Sequence, residues 1–240
     1  VGARTVQMAH RILHKALGDA ARWGLVTSNV AALVDCPKVE PEERRLWTPE
    51  DVQTFIQTMA EEHGTYGDLF LFLLASGCRL GEALGLRWND IDFKAGTVRI
   101  ERQLTEVNGR HIEQAPKTKA GVRTITLPGF GLEALRRQKE SASSVRVFTT
   151  EVGTTPLRTN VRRALHAVCD RLGLPTIRVH DLRHLHLSLL AMSGVPLKVA
   201  QQRAGHSTAT VTLNIYQHVL GDGDRLAAET LDRMLKGTAL

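Results

Sequence analysis

The chain has 240 residues, 42% of them hydrophobic, with 31 Lys+Arg against 25 Asp+Glu, a net charge of +6 and a pI of about 9.5. No apolar run reaches the roughly 18 residues that a membrane-spanning helix needs, so no transmembrane helix is expected. The positive excess suits a polyanionic partner such as nucleic acid. The chain opens at Val1 with no charged-then-apolar leader, and no signal peptide is expected. Cys36, Cys78 and Cys169 are widely scattered, with no C-x-x-C pair and no disulfide framework, which fits a reducing cytoplasm and buried small side chains.

Val6, Ala9, Leu13, Ala16, Ala20 and Trp23 recur at three- and four-residue spacing, predicting an amphipathic helix over 4–25. Arg4, Arg11 and Lys15 make it basic and are candidate contacts to DNA phosphates, although a solvated face accounts for any one of them as well. Ser28-Asn29 caps a short helix ending near Val34. Two helices bury too little apolar surface to stand alone, so residues 1–38 read as the C-terminal part of a helical module whose basic faces could contact DNA phosphates. Pro37, Pro41 and the charged run Glu42-Glu43-Arg44-Arg45 mark a linker at 39–46. Thr48-Pro49-Glu50-Asp51, a cap, a first-turn proline and two acids, then opens a second domain over 47–240.

That domain begins with helices over 51–61 and 66–76. The second is apolar on nearly all sides and is expected in the core. Gly77 ends it, which leaves Arg79 at the rim of the core, with Glu82 or Asp90 as an ion-pair partner. A strand over 97–104, the turn Asn108-Gly109, a return over 112–115 and a third strand over 122–127 predict a small antiparallel three-stranded sheet with Lys117 and Lys119 at one tip. Helices follow over 131–140 and 160–172, the latter basic through Arg162, Arg163 and Arg171, and a last helix over 225–235 follows the break Gly221–Asp224. The fold class is α+β and mostly α-helical.

The densest chemistry lies between Arg178 and Val219, which holds His180, Arg183, His206 and Tyr216. Arginine neutralises phosphate in a fixed fork, histidine moves a proton near neutral pH, and tyrosine offers a nucleophilic hydroxyl that needs activation. His180 and His184 are four apart, a metal-ligand spacing. No H-E-x-x-H acid or matching third ligand accompanies them, so no metal and no cofactor are expected.

A-S-G-C-R-L-G-E-A-L-G-L-R-W-N-D-I-D at 75–92, P-K-T-K-A-G-V-R-T-I-T-L-P at 116–128, H-D-L-R-H at 180–184, A-G-H-S at 204–207 and L-N-I-Y-Q-H-V at 213–219 stand in order along the chain. With them the chain resembles the tyrosine recombinase (phage integrase) family over nearly its whole length. The resemblance implies a metal-independent DNA breaking and rejoining enzyme with Tyr216 as nucleophile, forming a 3′-phosphotyrosyl link. Arg79 and Arg183 match the arginines that clamp the phosphate, His206 a further donor, His180 the acceptor of the tyrosine proton and Glu82 an acid that orients the site. Lys117 matches the lysine that protonates the leaving oxygen, with Lys119 as the alternative acid. His218 is an additional candidate for lining the site, while His184 reads as a support of the core. Leu185 and Ala204 depart from the commoner family residues without touching this chemistry. The resemblance also implies duplex DNA as partner, a homotetramer on paired core sites, exchange of the helix at 225–236 between protomers, and a mobile-element integrase. The competing reading from a different class is a DNA-binding module that no longer cleaves. A metal-dependent nuclease would need a carboxylate cluster that the sequence does not present.

Overall fold

The computed structural model describes residues 1–38, 46–62, 64–116 and 118–219, together with Ala228 and Asp232. The chain divides into two compact units, Val1–Arg45 and Leu46–Leu240. In the first, α1 (Ala3–Arg22) is followed by a single 3-10 turn, Val30–Leu33. Asn29 caps that turn by accepting from the Ala31 N–H at 3.1 Å, and its Nδ2 donates to the His14 carbonyl at 2.9 Å, so one side chain ties the turn to the helix. No residue of α1 is buried, and Met8, Ile12 and Leu13 are exposed.

The second unit opens with α2 (Pro49–Glu61), whose Thr48 and Asp51 form a reciprocal capping box with Pro49 in the first turn. Next comes α3 (Thr65–Ser76), the central helix, in which Leu69 through Ala75 are all buried. A helix apolar all round has to be surrounded, and α3 packs against α5 (Gly129–Glu140) and α7 (Asp181–Met192). Its one buried acid, Asp68, is held by Arg137 and by Gln138 Nε2 at 2.9 Å. Gly77 ends the helix with φ of +64°, a left-handed C-cap that suits glycine. The short α4 (Leu80–Leu84) follows at once.

The β structure is where the architecture departs from the expected single sheet. Strands β1 (Ile91–Asp92), β2 (Thr97–Ile100) and β5 (Arg123–Thr126) form a three-stranded antiparallel sheet in the order β1-β2-β5, with Val98 opposite Ile125. β3 (Gln103–Val107) and β4 (Arg110–Gln114) form a separate two-stranded hairpin. The expected strand over 97–104 is broken at Glu101–Arg102, where Arg102 pairs with both Asp90 and Glu101. These ion pairs hold the backbone away from the ladder, and an alternation count does not register them. The hairpin turn itself forms as expected: Asn108 and Gly109 both have positive φ, 50° and 72°, as a two-residue turn matched to strand twist requires.

The apolar run at 145–148 joins neither sheet. It lies against 86–88 through an isolated bridge between Arg87 and Arg146, with Val147 N–H donating to the Leu86 carbonyl at 3.0 Å. Helix α6 (Arg158–Leu172) buries Val161, Leu165 and Cys169 and stops at Gly173. Helix α8 (Leu197–Ala204), held between Pro196 and Gly205, packs with α9 (Ala209–Val219) and α7. The predicted helix at 225–236 lies outside the described residues apart from Ala228 and Asp232. Among the described residues, no helix is long and apolar enough to cross a membrane.

Candidate active site

The site is assembled around the C-terminal end of α3. Arg79 occupies the N-cap of α4, and its N–H and its Nη1 donate to Glu82 Oε2 and Oε1, both at 2.9 Å. Glu82 is buried and also accepts from Arg123 Nη2 at 2.9 Å. Burial raises the Glu82 pKa, but Arg123 and Arg79 outweigh it, and the carboxyl is held below its ordinary range. The predicted ion pair of Arg79 is therefore with Glu82, while Asp90 pairs with Arg102.

Arg183 projects from the first turn of α7 and is 2% exposed. Its Nη1 donates to the Gly77 carbonyl at 2.7 Å, while its buried Nη2 has no hydrogen-bond partner among the described residues. Burial and the positive charge of Arg79, against the pull of Glu82, push the guanidinium pKa down to about 10. A buried cation with a free donor and a like charge beside it is a place prepared for an anion.

His206 follows α8 directly. Its Nδ1 lies 2.8 Å from the buried Thr212 hydroxyl, and its backbone N–H and carbonyl are both tied to Gln201. Burial, then Arg183 and Arg79, lower its pKa to about 4. His180 is the N-cap of α7 and stacks edge-on to His184 with ring centroids 5.1 Å apart. It keeps an edge open to solvent, yet packing of the rest of the ring, with His184, Arg183 and Arg79 nearby and Asp181 opposing, brings its pKa to about 4. Both imidazoles are thus neutral at pH 7, each able to accept or donate a hydrogen bond.

Two clefts flank Arg79. The first, of about 370 Å³, is lined by Arg79, Glu82, Gln103, Pro116, Thr118 and His206, among others. The second, of about 380 Å³, adds Arg158, Arg162, Arg178 and His180 to Arg79 and Gln103. Cys78 also lines it, but burial and Glu82 push its thiol up to about 12, so it is no thiolate at neutral pH.

The predicted residues therefore divide. Arg79, Glu82, Arg183, His180 and His206 come together. Lys117 lies outside the described residues, although its neighbours Pro116 and Thr118 line the first cleft. The side chains of Lys119 and His218 also lie outside the description. Tyr216 is buried, its ring set among Leu187, Ala191, Ala200 and Ala204, and its hydroxyl donates to the Val195 carbonyl at 2.9 Å. It lines neither cleft, and burial raises its pKa. Among the candidate DNA contacts, Arg162 lines the second cleft and Arg163 is exposed and donates to Asn160. Arg4, Arg11 and Lys15 are exposed on α1, Lys15 pairing with Asp19 at 3.1 Å. Sequence reading passed over Arg123, Thr212, Arg158 and Arg178. Of these, Arg123, Thr212 and Arg178 stood inside, between or just before quoted stretches, while Arg158 stood apart from them. Among the described residues, no group of three or more His, Cys, Asp or Glu is placed to hold a metal ion.

Comparison with known proteins bears on the family and the fold. The model of the phage integrase family matches residues 45–221. The XerC-like tyrosine recombinase of Caldanaerobacter subterraneus subsp. tengcongensis is 34% identical over 220 residues, covering 77% of this chain and 56% of its own. The ICEBs1 integrase of Bacillus subtilis is 26% identical over 205 residues, covering 81% of this chain and again 56% of its own. The chain thus spans just over half the length of these relatives. In structure it is similar to the Tn1549 transposon integrase in complex with transposon right end DNA, with a TM-score of 0.84, 24% identity and coverage of 96% of this chain and 80% of that one. It is also similar to a lambda integrase tetramer bound to a Holliday junction, with a TM-score of 0.65, 21% identity and coverage of 89% and 59%. These two structures agree with the fold, and the family match spans most of the second unit: the chain belongs to the phage integrase family, the tyrosine recombinases.

Proposed function

We propose that the chain carries the catalytic part of a site-specific DNA recombinase, over 47–240, behind the end of a helical DNA-binding domain at 1–38 and a linker at 39–46. The observation that carries the reading is the buried Arg183, charge-coupled to Arg79 and with an Nη2 that has no hydrogen-bond partner among the described residues, beside the two clefts at Arg79 that the neutral His206 and His180 line. Phosphoryl transfer needs positioned positive charge more than covalent machinery, and this site supplies it without a carboxylate cluster.

In this mechanism the non-bridging oxygens of one phosphodiester lie against Arg79, Arg183 and His206. With the Thr212 hydroxyl donating to Nδ1, His206 carries its proton on Nε2 and donates it to the phosphate. Tyr216 leaves Val195 and attacks phosphorus, its proton passing to His180 as the P–O5′ bond breaks. Lys117, or Lys119 in its place, protonates the departing 5′ oxygen, and Glu82 keeps Arg79 in position. An incoming 5′-hydroxyl reverses each step and rejoins the strand. The second cleft, with Arg158, Arg162 and Arg178, receives the neighbouring backbone. The exposed Arg163 of α6, and Arg4, Arg11 and Lys15 on the first unit, add phosphate contacts. The partner is duplex DNA carrying core sites, bound by a homotetramer that exchanges the 225–236 helix between protomers. The setting is a mobile element in the cytoplasm, in keeping with three unpaired cysteines.

The experiment that tests this is a nicked suicide substrate carrying a cognate site, scored for a covalent protein–DNA adduct. The adduct should form, and EDTA should leave its rate unchanged. A chelator-sensitive reaction would overturn the metal-free mechanism, and binding without an adduct would favour the non-cleaving module. Affinity should also fall steeply with salt: with about six phosphates contacted, by roughly 10³-fold between about 50 and 200 mM. A flat salt response in fluorescence anisotropy would sink the DNA reading.

A further inference from the structure

His186 and Arg203 have no part in the mechanism above, yet they sit at its structural centre. The last carbonyls of α3 have no partners within the helix, and the negative end of its dipole collects there. Side chains from other helices satisfy them. His186 Nδ1, from α7, meets the Leu74 carbonyl at 2.7 Å, and Arg203 Nη2, from α8, donates to the Ala75 carbonyl at 3.0 Å. Arg183 Nη1 takes the Gly77 carbonyl just beyond.

The two residues also bond to each other, with Arg203 Nε donating to His186 Nε2 at 3.1 Å. A guanidinium has no acceptor, so His186 Nε2 must be bare and its proton must be on Nδ1, donated to Leu74. This fixes the ring as one neutral tautomer. The bonds run on: the Arg203 carbonyl accepts from Arg123 Nε at 2.8 Å, Arg123 Nη2 donates to Glu82, and Glu82 holds Arg79. The ring also fills the space at Gly77, where an added Cβ would lie 2.4 Å from His186 Cδ2. One hydrogen-bonded path therefore joins the elements bearing Arg79, Arg183 and His206.

We propose that His186 and Arg203 form a positioning pair that sets the phosphate-binding arginines and His206 at their mutual spacing, acting on the transition state through those groups and touching no DNA. The inference rests on the recombinase reading. It differs from a packing role because the path ends on charged groups whose spacing matters only while a phosphate charge is being balanced.

The test uses His186→Phe and Arg203→Met on the suicide substrate, in single turnover. Cleavage should fall by about 10²-fold, the scale of a small misplacement of reacting groups, while DNA affinity stays within about two-fold. The separating readout is a neutral methylphosphonate at the scissile position. With no full charge to balance, the wild type loses its advantage and the variant's deficit should shrink to a few-fold. An equal deficit on both linkages, or no deficit on either, overturns the proposal. A third measurement is independent of cleavage. Nitrogen chemical shifts of the His186 ring should show the neutral Nδ1–H tautomer, without titration from pH about 8 to about 5. Burial and the neighbouring Arg203, with Arg183 and Arg123, hold its pKa at about 3 against the Leu74 hydrogen bond. A ring that titrates in that window, or that carries its proton on Nε2, also overturns the pair. A wild type that forms no adduct sinks the recombinase reading, and the ring measurement then decides the pair by itself.

Discussion

Tyr216→Phe is expected to abolish the covalent DNA adduct while leaving duplex affinity within about two-fold of the parent. Phenylalanine keeps the ring that packs among Leu187, Ala191, Ala200 and Ala204 and removes one oxygen. That oxygen is bonded to the Val195 carbonyl and lines neither phosphate cleft, so its loss takes nothing from the DNA-binding surface as folded. The fold loses one hydrogen bond, worth about 1 kcal/mol, too little to unfold a domain with this core. Denaturing electrophoresis of the suicide-substrate reaction checks it, and a persisting adduct would remove Tyr216 from the mechanism.

The second large effect is at Arg183. Arg183→Lys keeps a positive charge and removes the fork. Lysine cannot hold the Gly77 carbonyl and a phosphate oxygen in the planar geometry that Nη1 and Nη2 provide. Single-turnover cleavage should fall by about 10²–10³-fold, the usual cost of losing one preorganised donor to a developing charge. DNA binding should change little, because binding spreads over many phosphates and Arg183 concerns one of them. A variant that cleaves at the parental rate would show that charge alone suffices there and that the fork has no catalytic part.

Much of this was legible in the sequence, for reasons that differ by element. The capping box at Thr48, the all-apolar helix ending at Gly77 and the Asn108-Gly109 turn are local effects, decided by residues within one turn of each other. Arg79, Glu82, Arg183, His180 and His206 were named from motifs, and the structure brings them together. What stayed hidden was set by partners distant in sequence. The break at Glu101–Arg102 depends on Asp90, and the path through Arg123 and Arg203 is built from carbonyls and side chains some eighty residues apart. The pose of Tyr216 was hidden too, since a motif names a nucleophile without saying which carbonyl its hydroxyl rests on.

On the recombinase reading, that pose has a consequence for the safety of the DNA being handled. An enzyme whose nucleophile sat permanently against its phosphate clamp would break every duplex it settled on. Here the Tyr216 hydroxyl is held by the Val195 carbonyl and lies outside both clefts at Arg79, so on that reading the clefts could fill with DNA while the hydroxyl is still occupied. On the recombinase reading, searching along DNA would then carry no commitment to breaking it, and commitment would wait on a movement of α9 away from α7 and α8.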